Sequence, residues 1–303
     1  MDDYSSLPVE KWWGDEHLYH WRGFWFRLPY LQATQEVLNN FNPLPSDVIL
    51  TSFPKTGTTW LKALLYSIIN RSSSDSLITN NPHELVPSLE LQIHRRDIAT
   101  THSFAGSPSA GIFSTHIPYQ LLPQTIKTGE CQVVYITRNP KDTFVSLWHF
   151  VGKSNKPWPL EMALERFCSG VVPYGSYFDH VLGYWKESLV KPKKVFFISY
   201  EELRDNPKTH VKRLAEFLDC PFNGEDEEDV VEEIVRSCSF ERLSNLEVNK
   251  SSDCPTWLKL PYNSYFRQGG MGDHKNYLDP EMNKRIDTIT HEKLHGSGLV
   301  FGI

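Results

Sequence analysis

The ten residues Thr51-Ser52-Phe53-Pro54-Lys55-Thr56-Gly57-Thr58-Thr59-Trp60 constrain this chain more than any other stretch. Before them, Asp47-Val48-Ile49-Leu50 is a short, largely apolar run bounded by turn residues, as expected of a buried strand. After them, Leu61 to Ile69 repeats apolar residues at helical spacing. A strand, a tight loop and a helix therefore meet here. The first backbone N–H groups of a helix lack internal partners and the positive dipole end points the same way, so such a junction attracts anions. Lys55 adds a mobile positive charge, and Thr56, Thr58 and Thr59 add hydroxyls. The nucleotide-binding pattern G-x-x-x-x-G-K-[ST] is not matched, because the lysine precedes the glycine and no second Gly-Lys follows. The loop reads as a phosphate cradle of a different make.

A chain of 303 residues is long enough for one large α/β domain or two small ones. No internal repeat or low-complexity boundary divides it, so the expectation is one domain over residues 1–303, with residues 1–44 as an aromatic arm packed on it. The net charge of -6 argues against a general nucleic-acid binder, so an anion site has to be local. The five cysteines are scattered and form no C-x-x-C pair, which favours reduced thiols in a cytosolic protein over a disulfide framework or zinc site. The acidic start Met1-Asp2-Asp3 is not read as a targeting segment, and no apolar run approaches the length of a membrane span.

Three further segments repeat the logic of the loop. Gly111 to Pro118 reads as a short strand that ends on His116, at the strand end where ligands bind in open α/β sheets. Taken alone, such a histidine is more often structural. Gln132 to Thr137 is apolar nearly throughout, as parallel strands are, and feeds Arg138-Asn139-Pro140-Lys141-Asp142 at the mouth of a helix carrying Ser146. A lone Arg138 would pass for a surface ion pair. Placed like Lys55, it makes a shared anion site the better reading. Tyr265 to Asp273 sets three glycines around Arg267, which is either an ordinary glycine turn or a place where backbone and guanidinium approach a phosphate. Lys194 to Tyr200 is a further strand, and residues 92–110 read as a mobile loop. These elements define an α/β fold with a central, mainly parallel sheet flanked by helices on both sides.

With these segments in hand, the chain resembles the cytosolic sulfotransferases, particularly the plant soluble ones. The likeness runs in order from Gly23-Phe24-Trp25 to Gly296-Ser297-Gly298-Leu299. Its most specific part is Ser52 to Trp60, supported by Thr115-His116-Ile117-Pro118 and by Arg138 to Asp142 with Ser146. Asn81-Pro82-His83-Glu84, Tyr184-Trp185-Lys186 and Leu246-Glu247-Val248-Asn249-Lys250 match the plant branch. The resemblance implies transfer of a sulfuryl group from 3'-phosphoadenosine 5'-phosphosulfate (PAPS) to a hydroxyl of a small, aromatic or polycyclic metabolite. It implies His116 as base and Lys55 at the leaving phosphate, with Lys55, Thr56, Gly57, Thr58 and Thr59 around the 5'-phosphosulfate. Arg138, Ser146, Arg267 and Gly269 would hold the 3'-phosphate, and Trp60 and Phe240 the adenine, with Tyr200 near its edge. Phe24, Trp25, Tyr119, Phe150 and Tyr174 are the candidates for the acceptor pocket. No metal is required, because lysine, hydroxyls and N–H groups supply the positive potential.

The chain also departs from the family. Gln268 stands where members commonly carry lysine, and His274 where a tryptophan often follows Gly-Asp. The dimer motif of animal members is poorly matched around Lys275 to Pro280, so a monomer is expected. Gln268 keeps alive a catalytically silent relative that binds the nucleotide without turnover. An ATP-dependent kinase is disfavoured by the order of lysine and glycine.

Overall fold

The protein was analysed as a computed structural model that describes residues 4–13, 16–71, 76–95, 111–153, 158–252, 254, 255, 257 and 260–301. Most of the 92–110 segment lies outside these residues, as does the Ser72 to Asp75 link.

Four parallel strands form the central sheet: β4 (Val48–Ser52), β5 (Ile112–Thr115), β6 (Gln132–Thr137) and β7 (Val195–Ser199), in the order β5-β4-β6-β7. Pairings run Val48↔Ile112, Leu50↔Val134 and Tyr135↔Phe197. Alternate side chains feed two separate cores, as the two-residue period of a strand requires. Ile49, Val133 and Tyr135 pack into one layer, while Val48, Leu50, Val134 and Ile136 pack into the other. Each layer is completed by helices, with Tyr177–Val190 and Pro280–Leu294 on the first side and Thr58–Ile69 and Pro207–Phe217 on the second.

The N-terminal arm has more structure than its aromatic content suggests. β1 (Val9–Lys11), β2 (His17–Trp21) and β3 (Phe24–Arg27) form an antiparallel sheet, followed by the helix α1 (Leu28–Asn40). The β2–β3 turn places Arg22 and Gly23 at φ 49° and 90°, the two positive values that a tight two-residue hairpin demands. Trp12, Trp13, Phe24 and Phe26 are buried in the first core layer, so the arm is part of the body.

Parallel order has a direct consequence for the site. All four strands end at the same edge, and the residues at or just after those ends are His116, Lys55, Arg138 and Tyr200.

Candidate active site

The loop after β4 is built by its own polar groups. Thr56 is fully buried, and its hydroxyl lies 2.8 Å from the Phe53 carbonyl and 3.0 Å from that of Ile136. Those bonds turn the Thr56 side chain inward, which corrects the expectation that its hydroxyl serves the phosphate. Lys55 adopts φ 72°, and Gly57 caps the helix α2 (Thr58–Ile69) at φ 117°. A Cβ on Gly57 would come within 2.9 Å of both Ile136 and Tyr200. Only glycine fits that corner.

Lys55 Nζ sits 3.8 Å above the centre of the Phe150 ring. Burial, then the charges of Lys153, Arg267 and Arg138, hold its pKa down to about 7. Four cations crowding one another in this way create a strong demand for a polyanion. Thr59 is oriented by a buried chain: Lys62 Nζ meets His83 Nδ1 at 3.1 Å, and His83 Nε2 meets Thr59 Oγ1 at 2.9 Å. With lysine as the donor, the histidine proton falls on Nε2, and the proton of Thr59 is left for the cavity. Burial is the main cause that brings Lys62 to about 7 and His83 well below its ordinary value.

His116 follows β5 and is fixed on three sides. Its backbone N–H donates to Glu90 Oε1 at 2.8 Å, its carbonyl lies 2.9 Å from His180 Nε2, and its Nδ1 is 2.7 Å from the Ser52 carbonyl. A carbonyl only accepts, so Nδ1 carries the proton and Nε2 keeps its lone pair. Burial lowers the His116 pKa, partly opposed by Glu90 and the Ser52 carbonyl. Glu90 is itself fully buried in the turn Leu89–Ile93 and also accepts from Thr115 at 2.8 Å. Sequence reasoning missed Glu90, Lys62 and Ser52. An acidic residue inside the apolar run Leu89-Glu90-Leu91 was the available signal for the first.

The second anion pole lies across the sheet edge. Arg138 Nη2 donates to the Gly270 carbonyl at 2.6 Å and stands 3.6 Å from Asp142. Arg267 pairs with Asp273 at 2.6 Å. Among the described residues, the buried Nε atoms of both arginines have no partner. Asp142 anchors the segment by accepting from Gly272 N at 2.7 Å, His274 N at 3.0 Å and His274 Nδ1 at 2.8 Å. Burial alone would raise its pKa, but these donors and Arg138 prevail and hold it well below the carboxylate range. The Asp273 carboxylate can only accept, so the Gln268 amide is assigned with its nitrogen towards Asp273, 2.9 Å from Oδ1. The Tyr200 hydroxyl donates to the Gly269 carbonyl at 2.8 Å, so it secures this loop.

A cavity of about 960 Å³ joins the two poles. That is near the upper end for ligand pockets and leaves room for two ligands side by side. Lys55, Gly57, Thr58, Thr59 and Trp60 line it from the loop. Arg138, Ser146, Tyr200, Phe240, Arg267 and Gly269 line it from the second pole, and His116, Phe150 and Tyr174 from the remaining wall. Phe24, Trp25 and Tyr119 do not line it, which corrects their expected place in the acceptor pocket. Phe24 is buried in the core, and Tyr119 donates to Glu187 at 2.9 Å. Trp25 acts through its backbone, bonding Tyr174 N at 2.7 Å and the Gly175 carbonyl at 3.2 Å.

The residues present fit PAPS on structural grounds. Two arginines with orphaned donors, a loop N-terminus with a lysine, and a glycine pressed against Phe240 match two phosphates and a flat base.

A family model described as "Sulfotransferase domain" matches residues 45–298. Cytosolic sulfotransferase 15 of Arabidopsis thaliana is 42% identical, the alignment covering 98% of this chain and 85% of that protein. Cytosolic sulfotransferase 8 of the same plant is 44% identical over 97% of this chain and 91% of its own. Among solved structures, an Arabidopsis thaliana sulphotransferase superposes with a TM-score of 0.78 at 38% identity, covering 99% of this chain and 94% of that one. Mouse sulfotransferase SULT7A1 complexed with PAP gives 0.73 at 30% identity, over 92% and 95% of the two chains.

Proposed function

We propose, from the premise that this chain belongs to the sulfotransferase family, that it moves a sulfuryl group from PAPS to a hydroxyl of a small plant metabolite with His116 as the base. Membership in the family removes the ATP-dependent reading. PAPS, when bound, supplies the sulfuryl group and a phosphate leaving group. The residues of the chain do the rest. His116 Nε2, with its lone pair set by the Nδ1 bond to Ser52, takes the hydroxyl proton as the oxygen attacks sulfur. Lys55 and Thr59 meet the charge that develops on the leaving side, in a buried site where such contacts are strong. Arg138, Ser146 and Arg267 hold the distant phosphate, and Trp60 and Phe240 bound the base between them. Aromatic walls at Phe150 and Tyr174 suit a flat or polycyclic acceptor, with flavonoid, brassinosteroid, hydroxyjasmonate and desulfoglucosinolate types as the classes to screen.

The observation that carries this reading is the juxtaposition of His116 and the Lys55 loop, joined by the Ser52 carbonyl. The test is a screen of labelled PAPS against plant hydroxyl metabolites with His116→Ala alongside. Label transferred equally by both proteins would remove His116 as the base. PAP binding with no transfer to any acceptor would favour the silent relative. Relatives named cytosolic support a cytosolic enzyme, and light scattering at working concentration tests the monomer.

A further inference from the structure

The cavity has a third polar station that neither phosphate pole uses. Tyr174 lines it at 3% exposure, and its phenol oxygen has no hydrogen-bond partner among the described residues. A buried donor without an acceptor is unfavourable, so a ligand oxygen is the natural partner. The Tyr174 ring lies 5.4 Å from the His116 imidazole and stacks on Tyr30 at 6.4 Å. Two guanidiniums flank Tyr30 in turn, Arg27 at 5.2 Å and Arg95 at 5.3 Å from its ring centre. Both arginines line the same cavity as His116.

These groups are held in place. Arg27 pairs with Glu16 and reaches the Tyr30 hydroxyl at 3.5 Å, and Arg95 donates to the Trp257 carbonyl at 3.1 Å. Burial, with Glu90 and Tyr30, keeps the Tyr174 hydroxyl protonated far above neutrality, while Arg27 and Arg95 pull the other way. The wall of the same cavity also includes Pro29, Leu91 and Pro173, which offer no charge to a ligand.

We propose that the acceptor is a hydroxylated carboxylic acid, its carboxylate received by Arg27 and Arg95 with the Tyr174 hydroxyl, and its reacting hydroxyl at His116. A guanidinium presents a planar pair of donors that a carboxylate matches, and a phenol adds a further donor. The two ring steps from His116 to Tyr30 put both ends within reach of one compact, largely apolar body. The inference rests on His116 being the group that faces the acceptor hydroxyl.

The test uses ω-(4-hydroxyphenyl)alkanoic acids of increasing chain length and their methyl esters, which differ only in charge at one end. For the best-fitting length, the acid is expected to exceed its ester in kcat/KM by about tenfold, chiefly through KM. Arg27→Ala, Arg95→Ala and Tyr174→Phe are each expected to bring the acid-to-ester ratio towards one. Titration of acid and ester into protein saturated with PAP gives the same comparison without turnover, and the thermal shift produced by PAP shows that each variant is folded. A ratio near or below one at every length in the unmodified protein, or a ratio unmoved in both arginine variants, would overturn the proposal. Esters sulfated while acids are refused counts against this proposal alone. Failure to bind PAP or to use PAPS at all counts against the sulfotransferase reading as well.

Discussion

The Nδ1–H of His116 donates to the main-chain carbonyl of Ser52 at 2.7 Å, tying the exit of β5 to the exit of β4. The proposed base and the proposed phosphate loop are therefore joined directly by a hydrogen bond. Register between the parallel strands sets their spacing, with Thr51 opposite Thr115 one residue before each exit. Proton abstraction by a side chain is worth about 10²–10⁴-fold, so His116→Ala should lower kcat by that factor while PAP affinity stays nearly constant. Because burial lowers the His116 pKa, neutral imidazole persists into mild acid. The acid limb of kcat/KM should fall below the ordinary histidine value of about 6.5. A limb at or above that value would contradict the assignment.

Lys55 provides a second pH signature. With its pKa near 7 in the free protein, it is mostly neutral at pH 8, and a nearby phosphate raises it again. PAP binding at pH 8 should therefore take up close to one proton, with less uptake at pH 6, where Lys55 is already charged. Calorimetry in buffers of different ionisation enthalpy measures this, and Lys55→Ala should abolish it. The stability of the free protein responds to pH with the opposite sign, because folding releases the protons that PAP binding takes up. Between pH 7 and about 10 the unfolded chain holds protons that Lys55 and Lys62 have released in the fold, so stability should rise with pH across that window.

Asp142 joins the helix Pro140–Gly152 to the phosphate segment through Gly272, His274 and Arg138. Its side chain is 2% exposed, and removing one partner of a buried charge network costs about 3–5 kcal/mol. Asp142→Ala should lose about that much in urea unfolding and weaken PAP binding as well. Its carboxyl is depressed in the fold, so the contribution is present above the unfolded value near 4 and disappears as pH falls through the folded one. A variant as stable as the parent would show that His274 and Gly272 find other partners.

Gly269 tests the proposed adenine slot directly. It sits at φ +60°, and a Cβ there would lie 2.3 Å from the Phe240 ring. Gly269→Ala must push Phe240 out of place or move the loop, and PAP affinity should fall by tenfold or more. The acceptor end of the cavity is built by other segments, so acceptor KM at saturating PAPS should change little.

How much of this was legible from residues alone follows the range of each interaction. Long apolar strands announce themselves, and Gln132–Thr137 and Val195–Ser199 fall where the pattern puts them. The proposed cofactor groups Lys55 and Arg138 lie in short contiguous stretches after strand ends and Arg267 lies in a glycine-rich segment, so each could be proposed from local sequence. The N-terminal sheet was missed because strands of three to five residues carry little periodicity for the turn signals Gly14-Asp15 and Arg22-Gly23 to punctuate. The acceptor wall was read wrongly at Phe24, Trp25 and Tyr119 because aromatic residues pack cores as readily as pockets. Partnerships such as Asn81 with Asn249 at 2.9 Å span too much sequence for any local pattern to reveal.

Gln268 stands where the family resemblance leads to the expectation of a lysine, and its geometry says what a lysine there should do. Its amide nitrogen lies 2.9 Å from Asp273 Oδ1, and Asp273 already holds Arg267 at 2.6 Å. A lysine here could share that carboxylate while its charge faces the cavity that Gln268 lines. An added cation near a phosphate in a partly buried site is worth about 1 kcal/mol, so Gln268→Lys should tighten PAP binding about fivefold at low salt. The gain should shrink as salt rises, because screening acts on the added charge. Affinity measured at two ionic strengths separates this from a change in loop packing, which would not depend on salt. If the lysine variant binds PAP no better at low salt, Asp273 has captured the new charge, and glutamine at this position is no handicap to the enzyme.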